Sequence, residues 1–256
     1  MKFFFSLILI SLRSSLRMRG LFLFEFFLMI FNNFLFFSLW WLFFDQFTEI
    51  NGWDVQDMTA LFLIGTGGYG IMLVFFGGVK YLCRMIINGE LDIFLTCPRS
   101  PLLHILGSRC VAKGWGDLIT AFILIFIGGF REPISIFLLL SSMILASLVF
   151  TAVGVITHSM AFWLGPIEHL AKQYCDAVAI LTMYPPNIYT GMLKIMIFTC
   201  LPAGVIGYLP VELLKHFTVL KFVATWLASL PFLGVAMMVF NLGLKRYESG
   251  NQFLIH

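Results

Sequence analysis

Apolar runs of membrane-crossing length recur along this chain, and its charges gather where those runs end. A helix needs about 20 apolar residues to cross the hydrocarbon layer. Leu21–Phe44, Met58–Val79, Ile134–Met160 and Phe222–Leu244 meet that length, and Gly114–Phe130 is a shorter candidate. The composition agrees: 60% of the 256 residues are hydrophobic and only 11% are charged, against about 25% charged in soluble domains. Thirty phenylalanines exceed what one soluble core of this size would bury. The chain is expected to be an all-α, polytopic membrane protein.

The charges orient it. Lysine and arginine gather on cytoplasmic connections. The polar insert Ile87–Pro101 carries the acidic pair Glu90 and Asp92 inside basic flanks, with Lys80 and Arg84 before the pair and Arg99, Arg109 and Lys113 after it. It is expected to be a cytoplasmic loop with enough structure and charge to dock a partner. Asp45–Asp57 has four acids and no base, which suits the outer side, as does the tight turn Arg131-Glu132-Pro133. Trp40 and Trp41 mark an interface, and Lys245-Arg246 closes the last run inside. Residues 1–20 resemble a signal peptide but lack a small-x-small cleavage site. Arg13 and Arg17 lie one helical turn apart on a shared face, so this segment is read as an uncleaved amphipathic helix on the cytoplasmic membrane surface. Residues 21–256 are read as one transmembrane domain.

Residues 161–221 admit two readings. Hydropathy favours Ile195–Val211 as the fifth crossing. The alternative crosses at Phe162–Met183, despite Glu168, Lys172 and Asp176, and lets Pro185–Pro210 dip into the outer face and return. The three charges are each four apart, so they share a face and can pair. Both readings give six crossings with both termini inside.

Several motifs point away from other chemistries. Gly65–Gly70 matches GxGxxG, but a dinucleotide loop must follow a strand and open a helix. It also resembles a potassium filter, yet it interrupts a run of ordinary crossing length; close helix packing explains it better. Glu25, Asn32 and Asn33 lie within the first run. Polar groups at such depth normally face protein or a water-filled path, so they are candidates for a translocation path. Asp117 is expected at the cytoplasmic interface. His158 and His169, eleven apart, are read as packed or interfacial residues and not as a relay. The five scattered cysteines form no CxxC pair, and neither a metal site nor a nucleophilic triad is apparent. The net charge of +3 gives no reason to expect nucleic acid. The chain is not expected to be an enzyme or to carry a cofactor.

Four short motifs in order complete the reading: the GELD of Gly89–Asp92 with a proline segment after it, the SMAFW of Ser159–Trp163, the YPPNIY of Tyr184–Tyr189 and the GLKRYES of Gly243–Ser249. Together they resemble a bacterial family of ABC-2 type transporter permeases over about residues 20–250. The resemblance implies six membrane helices in the bacterial plasma membrane and a cytoplasmic coupling helix between spans two and three. It also implies an outer re-entrant hairpin before span six, marked here by Pro185, Pro186, Pro202 and Pro210, which favours Phe162–Met183 as the fifth span. It implies an exporter subunit that pairs with a separate ATP-binding subunit, where ATP is bound, and with a second copy or a related permease. On that reading Arg84, Glu90, Asp92 and Arg99 form the docking surface, and Leu91, Ile93 and Phe94 fill a groove in the ATPase. Glu25, Asn32, Asn33, Glu168, Lys172 and Asp176 are the path candidates. The rival readings are a proton-coupled secondary transporter and an ion channel.

Overall fold

The computed structural model describes residues 2–47, 49, 52–98, 100–185 and 188–248. Within them every regular element is a helix: α1 Lys2–Ser15, α2 Arg19–Gln46, α3 Val55–Phe75, α4 Leu82–Ile87, α5 Leu91–Leu95, α6 Pro101–Gly107, α7 Lys113–Ile127, α8 Pro133–Ser159, α9 Ala161–Leu164, α10 Glu168–Thr182, α11 Gly191–Met196, α12 Leu209–Lys215 and α13 Val219–Arg246. Four helical stretches, by length and composition, are long and apolar enough to cross a membrane: Ser6–Gln46, Val55–Phe75, Pro133–Leu164 and Val219–Arg246.

Helix α3 forms the axis of the bundle. Helices α7 and α8 pack against it, α2 packs on α7, and α13 packs on α8. The glycine motif is what lets them approach. A side-chain carbon on Gly67 or Gly68 would strike Met143 and Ala146 of α8, and one on Gly70 would strike Asp117 and the Gly114 carbonyl of α7. Small residues of this kind let backbones approach closely where lipid supplies no hydrophobic drive. The motif lies in unbroken helix, with no filter loop. Helix α3 starts at a reciprocal cap: Asp54 accepts from the Asp57 amide at 2.8 Å, and Asp57 accepts from the Asp54 amide at 3.2 Å.

The outer helices keep apolar faces exposed. Phe24, Phe27, Phe31 and Phe34 form one ridge along α2, and Leu220, Leu227 and Leu230 stand out from α13. Continuous apolar surface of this kind suits lipid or a partner and not water. Between α1 and α2, a 3-10 turn over Leu16–Met18 ends at Met18, whose backbone leaves the helical region (φ −96°, ψ 63°). Helix α1 therefore turns away from α2 and packs on α6.

Residues 161–221 do not make a straight crossing at Ile195–Val211. Hydropathy alone favours that stretch, but the chain there is divided among short pieces: α11, a π-helical turn at Gly204–Tyr208 and α12. Pro202 and Pro210 lie where those pieces begin, and proline removes an amide and clashes within a helix. The long helix in this region is α10, which starts after Gly165 (φ 76°) and Pro166 end α9. Tyr184, just beyond α10, packs on Phe36 and Trp40 of α2, and Tyr208 stacks on Trp53. The pieces between α10 and α13 thus sit at the bundle end opposite α4–α6.

Candidate coupling surface and buried polar cluster

Three of the four sequence motifs meet at the α4–α6 end. Gly89 takes φ 73° and reverses the chain between α4 and α5. That turn presents Glu90, which accepts from the Asn88 side-chain amide at 3.2 Å. Phe162 of the SMAFW segment packs on Phe240 and Tyr247, and a side chain on Gly243 would strike its ring. Tyr247 in turn lies beside Asp92. Burial, and then that neighbouring carboxylate, push its hydroxyl up to about 12. The fourth motif, around Tyr184, stands at the other end, and its Pro186 and Asn187 lie outside the described residues.

Within α5 the expected docking residues divide. Ile93 is 68% exposed, and Leu95 beside it is also exposed. Phe94 is half-buried with its ring edge-on to His104 at 4.9 Å. Leu91 is fully buried, at 0% exposed. Leu91, expected to enter a partner's groove, is turned by helical periodicity into this chain's own core, while Ile93 faces out. Arg84 is exposed, Glu90 and Asp92 are half-buried, and Arg99 lies outside the described residues. The loop is braced from behind. A side chain on Gly78 would collide with the Ile105 carbonyl of α6, and the Val111 amide donates to the Leu73 carbonyl at 3.0 Å. Arg109 lies over the Tyr81 ring at 4.3 Å.

A polar cluster lies between α3, α8 and α10, on the same side as the loop. Tyr69 of α3, His158 of α8 and Glu168, Lys172 and Cys175 of α10 line a cavity of about 50 Å³ together with Lys80. Lys80 belongs to the 3-10 turn Gly77–Tyr81, between α3 and the loop. Its ammonium lies 5.5 Å from the Tyr69 ring centre. Burial pushes the Lys80 ammonium down, and Asp176 pulls it the other way. The Thr157 hydroxyl and the Cys175 thiol are 3.4 Å apart. Glu168, Lys172 and Asp176, expected on one face, do share this side of α10.

The path candidates of α2 are elsewhere. Glu25 is half-buried and Asn32 is exposed. Asn33 is buried, and its side-chain amide donates to Asp117 Oδ1 at 2.7 Å. Asp117, expected at the cytoplasmic interface, is packed among the helices: it is 1% exposed, and its second oxygen has no hydrogen-bond partner among the described residues. The signal for its burial was in the sequence. Gly114 and Gly116, just before it, let α3 and α2 close on α7. For Lys80 the local sequence held no such signal, because its burial depends on α8 and α10.

A family model described as ABC-2 family transporter protein matches residues 27–251. The chain belongs to the ABC-2 transporter family. No curated protein and no solved structure matches it. An ABC-2 transporter protein is the membrane part of a transport system, and the family in general works with an ABC ATP-binding subunit. That accords with the multi-pass helical bundle. The match spans α3 to α13 and most of α2, so both the α4–α6 end and the polar cluster lie inside the ABC-2 region.

Proposed function

We propose that this chain is the permease subunit of an ATP-driven exporter, and that it couples to a separate ATP-binding subunit through α5. The observation that carries this is the exposed Ile93–Leu95 edge on a loop braced against α3 and α6. An apolar anchor of this kind supplies most of an interface's binding, whereas rim charges such as Arg84 and Glu90 add little. The loop faces the cytoplasm, both termini lie inside, and the membrane is a bacterial plasma membrane. The six crossings are α2, α3, α7, α8, α10 and α13, with the pieces between α10 and α13 forming an outer re-entrant hairpin.

Helix α10 supports a paired arrangement. Glu168, His169, Lys172 and Gln173 are exposed on it, and a crossing helix with such a face needs protein or a water-filled path to cover it. A second copy or a related permease would complete that path. Lys80 joins the loop to it: movement of α4 and α5 displaces the turn Gly77–Tyr81, and with it the charge that faces Asp176. Transport then proceeds as ATP-driven motion of the loop changes the charges along α10.

A second reading has one observation behind it. Asp117 and His158 are buried within the bundle, as ionisable groups of a proton-coupled carrier would be. The two readings separate cleanly. The chain co-purified with its co-encoded ATP-binding subunit and placed in vesicles should hydrolyse ATP, and a protonophore should leave hydrolysis intact. Failure to form the complex, together with proton movement by the chain alone, would favour the second reading.

A further inference from the structure

Helix α1 has two faces with different partners. Its inner face, Phe4, Leu7, Ile8 and Ser11, lies on α6 and the base of α3: Ile8 and Ser11 are buried, a side chain on Gly107 would touch the Phe4 ring, and Phe4 lies 5.7 Å from Phe76. At its end the Ser15 hydroxyl donates to the Cys110 carbonyl at 2.9 Å, beyond the return limb of the loop. The outer face carries Leu9 and Ile10, 56% and 64% exposed, followed by exposed Arg13 and Arg17. Arg19 continues the basic run, and no aspartate or glutamate occurs before Glu25. Among the described residues no carboxylate pairs with these three arginines.

We propose that the outer face of α1 is a docking surface for anionic phospholipid headgroups, and that its occupancy steadies the coupling loop through α6. Two aliphatic side chains beside unpaired arginines match a membrane surface, where apolar burial and attraction to anionic lipid act together. An uncharged bilayer would engage Leu9 and Ile10 alone. A soluble acidic protein would leave them uncovered. Because α1 rests on α6, whatever holds α1 against the membrane also holds the limb that returns from α5. The surface lies apart from Ile93, so this inference does not rest on the identity of the ATP-binding partner and is tested on the chain alone.

The test is hydrogen exchange of the whole chain in nanodiscs of phosphatidylcholine, with and without about 30% phosphatidylglycerol, whose anionic headgroup supplies the negative surface potential that attracts basic segments. The amides of Lys2–Ser15 and of Pro101–Gly107 should exchange more slowly in the anionic discs. Each Arg→Gln change at Arg13, Arg17 and Arg19 should reduce that protection by about fivefold. The triple Arg→Lys variant should retain it, because charge and not guanidinium geometry is at work. Equal exchange in both discs would overturn the proposal, as would full protection in the triple Arg→Gln variant. Protection of α1 without any change in α6 would overturn the link to the loop. Glycerophosphate added to the phosphatidylcholine discs should have no effect; protection by it alone would mean a site for free phosphate and would also overturn the proposal.

Discussion

Asn33 and Asp117 meet where α2 crosses α7, and the bond between them is the clearest buried polar contact in the bundle. Removing one partner of a buried pair leaves the other desolvated, at a cost of about 1–3 kcal/mol. Asn33→Ala and Asp117→Ala should therefore each lower the thermal stability of the detergent-purified protein. The double variant should cost less than the sum, by about 1 kcal/mol. Strictly additive costs would mean that the two side chains do not depend on each other. Half of this contact was legible in advance. Asn33 stood out as a polar residue at membrane depth, but Asp117 lies so soon after Lys113 that it read as an interface residue. Its partner is 84 positions away, and only the packing of α2 on α7 brings them together. Leu91 and Ile93 were legible as an apolar pair beside acids; which of them faces outward depends on the phase of a helix only five residues long.

The elements between α10 and α13 illustrate how local chemistry and long-range contacts divide the work. Their prolines announced that no straight helix runs through Ile195–Val211, a break that hydropathy alone does not register. What fixes them to the bundle was not legible. Lys215 of α12 donates to Asp57 and to the Gly52 carbonyl, both at 2.6 Å, from 158 and 163 positions away. The Tyr174 hydroxyl donates to the Cys200 carbonyl on the other side of the same region. The Lys215 pair is only partly exposed, at 27% and 13% for its two side chains, and a pair of this kind contributes about 1 kcal/mol at most. Lys215→Met should therefore speed amide exchange in Leu209–Lys215 by about fivefold or less, while α8 is unchanged. Unaltered exchange in α12 would show that its buried Val211 and Leu213 hold it without the ion pair.

For the whole molecule, the run of long apolar helices was legible from composition and length alone, and the family match agrees with it. The six-crossing arrangement depends on α7 and α10, each of 15 residues. At 1.5 Å per residue these reach roughly 22 Å, short of the hydrocarbon thickness. Accessibility decides the arrangement. With the other cysteines replaced, native Cys97 in the loop should react with a membrane-impermeant thiol reagent only after the membrane is opened. Met192→Cys, at the exposed start of α11, should react on intact cells. Reaction of the Met192→Cys variant only after permeabilisation would place α11 inside and remove the outer hairpin.

The central claim is that the exposed edge of α5 seats the ATP-binding subunit, and association is its most direct measure. Ile93→Asp, compared with the unaltered chain in pull-down of the co-expressed ATP-binding subunit, places a charge where an apolar anchor should sit. Truncating or charging such an anchor typically costs about 2 kcal/mol or more, so recovery of the ATP-binding subunit should fall by at least about tenfold. The variant should insert and purify normally, because Ile93 contributes little to the core. Undiminished recovery with Ile93→Asp would contradict the account.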